Sequence, residues 1–126
     1  MTYIDGFVLA VPSANRERFR AMATRVGEIF IDHGALRVIE NWGDEVPDGK
    51  VTDLKRAVQA EEGETVCFSW VEWPSKEARD KGNEAIAADP RMAQIPEEKD
   101  LMDSTRMIYG GFVPVVDLRA DGKENG

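Results

Sequence analysis

Apolar positions along the chain switch between a period of two and a period near 3.6, and the switches mark its elements. Residues 3 to 11, Tyr-Ile-Asp-Gly-Phe-Val-Leu-Ala-Val, are rich in β-branched and aromatic side chains and stop at Pro12. That predicts a first strand. Its apolar residues fall on both faces, so burial is expected on both sides. Ser13 then reads as an N-cap, and Phe19, Met22, Ala23, Val26 and Phe30 follow at helical spacing up to Gly34. Residues 35 to 42 read as a second strand and residues 65 to 73 as a third, ended by Pro74. Ser75 caps a second helix whose small face carries Ala78, Gly82, Ala85 and Ile86 before Pro90 stops it. Residues 91 to 103 look irregular, and residues 106 to 118 read as a fourth strand.

The order β-α-β-β-α-β, with right-handed crossovers, predicts an α+β fold of the ferredoxin-like type. It is a four-stranded antiparallel sheet with both helices on one face. The strands are apolar on both sides, so the other face would expose more apolar surface than a soluble monomer usually shows. A second copy of the chain covering that face, giving a dimeric α+β barrel, is the expected solution. Residues 1–118 are expected to form one such domain, followed by a polar tail over 119–126. The insertion at 43–64, between strands two and three, contains Val46, Val51, Leu54, Ala57 and Val58. A slack linker has no use for these, so an ordered arm is expected, with Thr52 capping a short helix through Val58.

Charge narrows the function. The chain carries 16 basic residues against 24 acidic ones, a net charge of −8. Nucleic-acid affinity rests on Lys and Arg neutralising phosphates. The densest basic group here, Arg16, Arg18, Arg20 and Arg25, is interleaved with Glu17 and Glu28 and reads as a solvated helix face. Nucleic acid is therefore not an expected partner, and with no apolar run near 18 residues neither is a membrane. The lone cysteine, Cys67, rules out an internal disulfide and fits a reducing compartment. Met1 to Gly6 has no basic region, and Asp5 interrupts its apolar run, so no secretory signal is read there. A cytoplasmic location is expected.

Candidate chemistry is sparse. One His and one Cys cannot build a usual zinc site. Asp44-Glu-Val-Pro-Asp48-Gly49 fails as a calcium loop, because Val46 and Lys55 fall where oxygen ligands are needed. No metal and no cofactor are expected. His33, at the end of helix one, reads either as an acid–base group or as a histidine capping the helix terminus. Gly6 in strand one and Gly110-Gly111 in strand four read either as room for a packed helix or as the floor of a ligand pocket. Polar groups flank them: Asp5, Arg106 and Tyr109, with Glu40, Trp42, Trp70 and Glu72 from the other two strands. A carboxylate on a buried strand must be paired or protonated. Arg106 is the partner expected for Asp5. Asp5 and His33 are the acid–base candidates. Asp5, Tyr109, Arg106, Trp42 and Trp70 are the candidate ligand-binding residues, of which strand parity lets only part share one cavity.

The strings Tyr3-Ile-Asp-Gly-Phe-Val, His33-Gly-Ala and Gly43-Asp-Glu-Val-Pro-Asp-Gly-Lys-Val-Thr resemble the YbaA-like family of bacterial proteins. So do Phe68-Ser-Trp, Asp89-Pro-Arg-Met and Arg106-Met-Ile-Tyr-Gly-Gly-Phe. The resemblance spans roughly residues 3 to 118. It implies the dimeric α+β barrel but no reaction, since the family's biochemical function is not established. The wider superfamily it implies includes cofactor-free monooxygenases, haem-degrading enzymes and lactone isomerases, and fold does not fix function among them. The expected role is a cytoplasmic homodimer that binds or turns over a small organic molecule in a cavity beside the sheet. The alternative is a non-catalytic dimeric interaction protein.

Overall fold

The computed structural model describes residues 1–95 and 100–122. Four strands, β1 (Tyr3–Pro12), β2 (Arg37–Trp42), β3 (Glu64–Trp73) and β4 (Ile108–Phe112), form one sheet in the order β2-β3-β1-β4, with every neighbouring pair antiparallel. The helices are α1 (Arg16–Asp32), a short α2 (Leu54–Ala57), α3 (Lys76–Ala87) and a single turn α4 (Pro90–Ala93). This is the ferredoxin-like arrangement that the order of elements predicts.

Strand parity decides what packs where. Tyr3, Leu9 and Val11 of β1, and Cys67, Val71 and Trp73 of β3, meet Phe19, Ala23 and Ile29 of α1 and Ile86 of α3 in the helix-side core. Trp73 is fully buried, and its indole ring fills the space where Gly82 of α3 has no side chain. The small face of α3 therefore exists to admit a large residue from the sheet. Ser75 caps α3 as expected, its hydroxyl accepting from the Ala78 amide at 3.0 Å. Helix α1 ends where Gly34 adopts φ 108°, a backbone state other residues rarely take.

Several boundaries differ from the sequence reading. A 3-10 turn over Ser13–Asn15 precedes α1, so Asn15 rather than Ser13 is its N-cap, and the Ser13 hydroxyl instead lies 2.6 Å from that of Thr65. The short helix in the 43–64 segment is capped by Asp53, not Thr52. Val58 of that segment is buried against Ala10 and Val66, on the side of the sheet without α1 and α3. Strand four is five residues long rather than spanning 106 to 118. Arg106 is held in a 3-10 turn at its start, and Pro114 follows soon after its end. A proline donates no amide to a ladder. Of the expected polar tail, residues 123–126 lie outside the described residues, as do 96–99 of the irregular stretch.

The expected pairing of Asp5 with Arg106 is overturned. In the β1–β4 register Asp5 stands opposite Gly111. Arg106 lies five residues before Gly111, in the turn that precedes β4, and is not on the ladder beside Asp5. Asp5 instead accepts from the Trp73 indole N–H at 3.0 Å and from Arg79 Nε, on α3, at 3.2 Å. The Arg79 guanidinium sits 4.8 Å from the Tyr3 ring centre and donates to the Tyr3 hydroxyl at 3.2 Å. Arg106 is bound at both nitrogens to the Glu64 carboxylate, each at 2.7 Å, with Asp103 on its Nε at 3.1 Å. That pairing holds the Glu64 carboxyl below its ordinary range.

Two outcomes follow from this packing. Gly82→Ala gains about 1 kcal/mol of helix propensity, yet its methyl would strike the Trp73 ring and the His33 carbonyl. A net loss of about 1–2 kcal/mol is expected, seen as a lower urea midpoint with an unchanged slope. Asp5→Ala strands a buried indole N–H and a partly buried guanidinium and is expected to cost roughly 3 kcal/mol in the same titration. Asp5→Asn keeps an acceptor for Trp73 and should lose less.

Candidate functional site

The sheet face away from α1 and α3 carries the even positions of β1 and β3. Gly6 stands opposite Gly110 in one register and opposite Trp70 in the other. With no side chain on either glycine, the centre of this face sinks into a trough of about 920 Å³. Ile4 and Val8 flank the glycines, and the Phe112 ring lies 3.3 Å from where a Cβ on either would stand. Phe68 and Trp70 form one wall, packed edge to face with ring centres 5.5 Å apart. Val113, Pro114 and Val116, from the chain after β4, border the other side. The polar side chains of its lining are Thr2, Arg37, Glu72, Tyr109, Asp117 and Arg119, and Trp70 Nε1 donates to Glu72 at 3.2 Å.

The two readings of the strand glycines thus divide by parity. Gly6 and Gly110 form the trough floor, whereas a side chain at Gly111 would collide with the Tyr3 hydroxyl and Arg79 on the helix side. Glycine at 111 lets the Asp5–Arg79–Tyr3 cluster approach the edge strand.

The sequence-predicted site residues do not converge. Trp70 lines the trough. Tyr109 borders it from β4, 75% exposed, with its ring stacked on Phe7 at 6.3 Å. Trp42 lies on the helix side, packed on Phe19 with Arg16 over its ring at 5.6 Å. Asp5 is locked beneath α3, and Arg106 is clamped to Glu64. His33 closes α1: its backbone amide bonds the last turn, and its Nε2 lies 2.7 Å from Asp89, the cap of α4. Arg91 and His33 together hold the Asp89 carboxyl well below the usual carboxylate range. Phe112 was missed, although its position two residues after Gly110 puts it on the trough face.

Among the described residues, no cluster of three or more His, Cys, Asp or Glu is placed to hold a metal ion, and no helix is long and apolar enough to cross a membrane. Cys67 is buried, and burial with Glu40 nearby pushes its thiol up to about 11, so little of it is thiolate near neutrality.

Known proteins agree with this architecture. The chain is 50% identical over 117 residues to the Escherichia coli K12 protein named Uncharacterized protein YbaA, covering 93% of this chain and 99% of that one. Among solved structures it resembles a NIPSNAP domain protein from Burkholderia xenovorans with a TM-score of 0.56 and 16% identity, over 90% of this chain and 94% of the other. It also resembles SnoaB, a cofactor-independent oxygenase from Streptomyces nogalater, with a TM-score of 0.51 and 14% identity, over 90% and 93% of the two chains. At such identities the likeness is one of fold. Residues 2–104 match the family model described as protein of unknown function DUF1428, and with half its residues shared with YbaA, the chain belongs to that family.

Proposed function

We propose that the protein acts as a cytoplasmic homodimer whose helix-free sheet faces meet as an α+β barrel and enclose a small, largely apolar organic molecule over Gly6 and Gly110. The observation that carries this reading is the trough itself. Its volume suits a small-molecule site, and its lining is mainly aromatic and aliphatic with a few polar side chains. Phe68, Ile108 and Phe112 are each about half exposed there, and Val115 and Leu118, just beyond, expose 92% and 71% of their surface. Covering such side chains is worth about 1.5–3 kcal/mol each when burial is complete. A second copy covers them all by one symmetric contact and leaves the glycine floor as a cavity between the two sheets. Trp70 belongs to this site, with Tyr109, stacked on Phe7 at the edge strand, only at its margin. Asp5, Arg106, Trp42 and His33 serve the framework around it. The single buried thiol fits the reducing compartment that the proposal includes.

Sedimentation velocity at micromolar concentration is expected to show a dimer, and Phe68→Glu to shift it to monomer; a monomeric parent protein overturns the proposal. Gly110→Val fills the floor and adds β propensity. It is expected to keep the dimer while weakening uptake of the neutral dye Nile red at least fivefold. A dimer that takes up no dye supports the alternative of a non-catalytic interaction protein.

A further inference from the structure

On the opposite side of the sheet, a second cavity system opens between α1 and edge strand β2. It has two chambers. An outer groove of about 550 Å³ runs along α1, and an inner cavity of about 200 Å³ lies beneath it. Both are lined by Phe19, Ala23, Gly27 and Val38, and Glu40 belongs to both, so it stands where they join. The inner chamber is walled by Phe7, Phe30 and Val71 and by three methionines, Met22, Met102 and Met107. Methionine adapts its shape to different occupants. An apolar cavity of about 150 Å³ is enough to hold a benzene ring, so the inner chamber, at about 200 Å³, has room for a small aromatic group of one or two fused rings.

Among the described residues, Glu40 and Ser69 are the polar side chains that line the inner chamber. Ser69, 3% exposed on β3, stands opposite Glu40 in the β2–β3 register and donates its hydroxyl to Glu40 Oε2. Glu40 Oε1 accepts no hydrogen bond from the described residues. One oxygen is thus fixed and the other presented to the groove. At the outer rim, Arg16 and Arg20 lie one helical turn apart on α1 and line the groove. Neither has a carboxylate partner among the described residues, although Arg18, on another side of the helix, is bound to Asp100.

We propose that this cleft binds a small aromatic acid, with its ring in the inner cavity and its carboxylate on Arg16 and Arg20, and that Glu40 Oε1 exchanges a proton as the acid binds. The arrangement is amphipathic in the order such a ligand requires: apolar depth, Glu40 at the throat, and Arg16 and Arg20 at one end of the groove, with Glu28 and Asp32 further along α1. It lies on the face opposite the trough and does not depend on two copies meeting there. Although Glu40 is solvent-exposed, the side chains packed around its carboxyl strip part of its hydration and raise it above its ordinary value, opposed by the Ser69 hydrogen bond. A folded-state pKa above the unfolded one stabilises the fold below the unfolded value and is a cost above the folded one. A bound anion nearby pushes Glu40 further the same way, so binding draws a proton from solvent onto Oε1. The other titratable or charged groups lining the cleft are Arg16, Arg20, Glu28 and Asp32 from α1, and the buried Cys67 thiol of β3 lies close enough to feel the Glu40 charge.

The test uses 1-naphthoate and its uncharged counterpart 1-naphthylmethanol, titrated calorimetrically into the full-length protein between pH 5 and 8 in buffers of different ionisation enthalpy. Naphthoate is expected to bind with proton uptake and with affinity falling as pH rises. Glu40→Gln keeps the Ser69 hydrogen bond. It should abolish the uptake, flatten the pH profile and tighten naphthoate binding, while raising the melting temperature at pH 7. Glu28→Gln should leave uptake intact. The Arg16→Gln/Arg20→Gln double variant, altered only at exposed positions, should lose about tenfold for naphthoate, the equivalent of roughly 1.4 kcal/mol, and little for the alcohol. Failure of the parent protein to bind naphthoate, equal loss of both probes in the double variant, or proton uptake that survives Glu40→Gln would each overturn the proposal. None of these results bears on Nile red uptake or on the oligomeric state.

Discussion

A buried indole fixes the geometry of this molecule. Trp73 has no exposed surface, and its N–H needs an acceptor that water cannot supply. Asp5 supplies it, but a buried carboxylate then needs a cation, which Arg79 brings from α3. Gly82 must be empty for the ring to fit, and Gly111 must be empty for Tyr3 and Arg79 to fit. One apolar residue at the end of β3 thus dictates a carboxylate on β1, an arginine and a glycine on α3, and a glycine on β4. It binds α3 to three strands at once, and Gly110, next to the glycine it requires at 111, joins Gly6 in the trough floor on the other face.

The two faces of the sheet consequently do different work. The helix side spends its polar groups on closed pairs, Asp5 with Arg79 and His33 with Asp89, and Glu64 with Arg106 makes a third pair near the 43–64 segment. Glu40 is the departure from that habit, with only one oxygen bound by a protein group and an aromatic and methionine-lined chamber beside it. The helix-free face is apolar through its centre, and the 43–64 segment shields just one end of it, through Val58 on Ala10 and Val66. Exposed aromatic surface in the middle of a sheet, next to an end already covered, marks the middle as the part left for a partner or ligand.

Element order and topology were legible because period-two and period-3.6 patterns are strong over β1, α1 and β3, and the punctuation at Pro12, Gly34, Pro74 and Ser75 is local. Strand four was overextended because Val113, Val115, Val116 and Leu118 look like strand residues, whereas Pro114 and the turn at Arg106 decide otherwise. The site was less legible. Asp5 has several arginines to choose from, and only a register linking residues 74 apart in sequence selects Arg79. Parity separated Asp5 from Gly6 correctly in principle, but which parity faces the helices is set by where Trp73 and Phe19 pack, a tertiary fact. Glu40 alternates with Val38 and Trp42, the residues of β2 that pack against α1, and that alternation was the available sign of its orientation. Its junction between two chambers needed coordinates.

The brevity of β4 has a consequence for how the molecule meets its neighbours in a crowded cell. An edge strand offers a row of free amides and carbonyls to any passing chain, and long flat edges invite indefinite stacking. Here that edge lasts five residues, has two adjacent glycines at its centre, and is followed two residues later by a proline that has no amide to offer. Growth of the sheet sideways into a ribbon is therefore discouraged by the backbone itself, while the apolar broad side stays open. A copy stacking on that broad side would instead close the assembly at two.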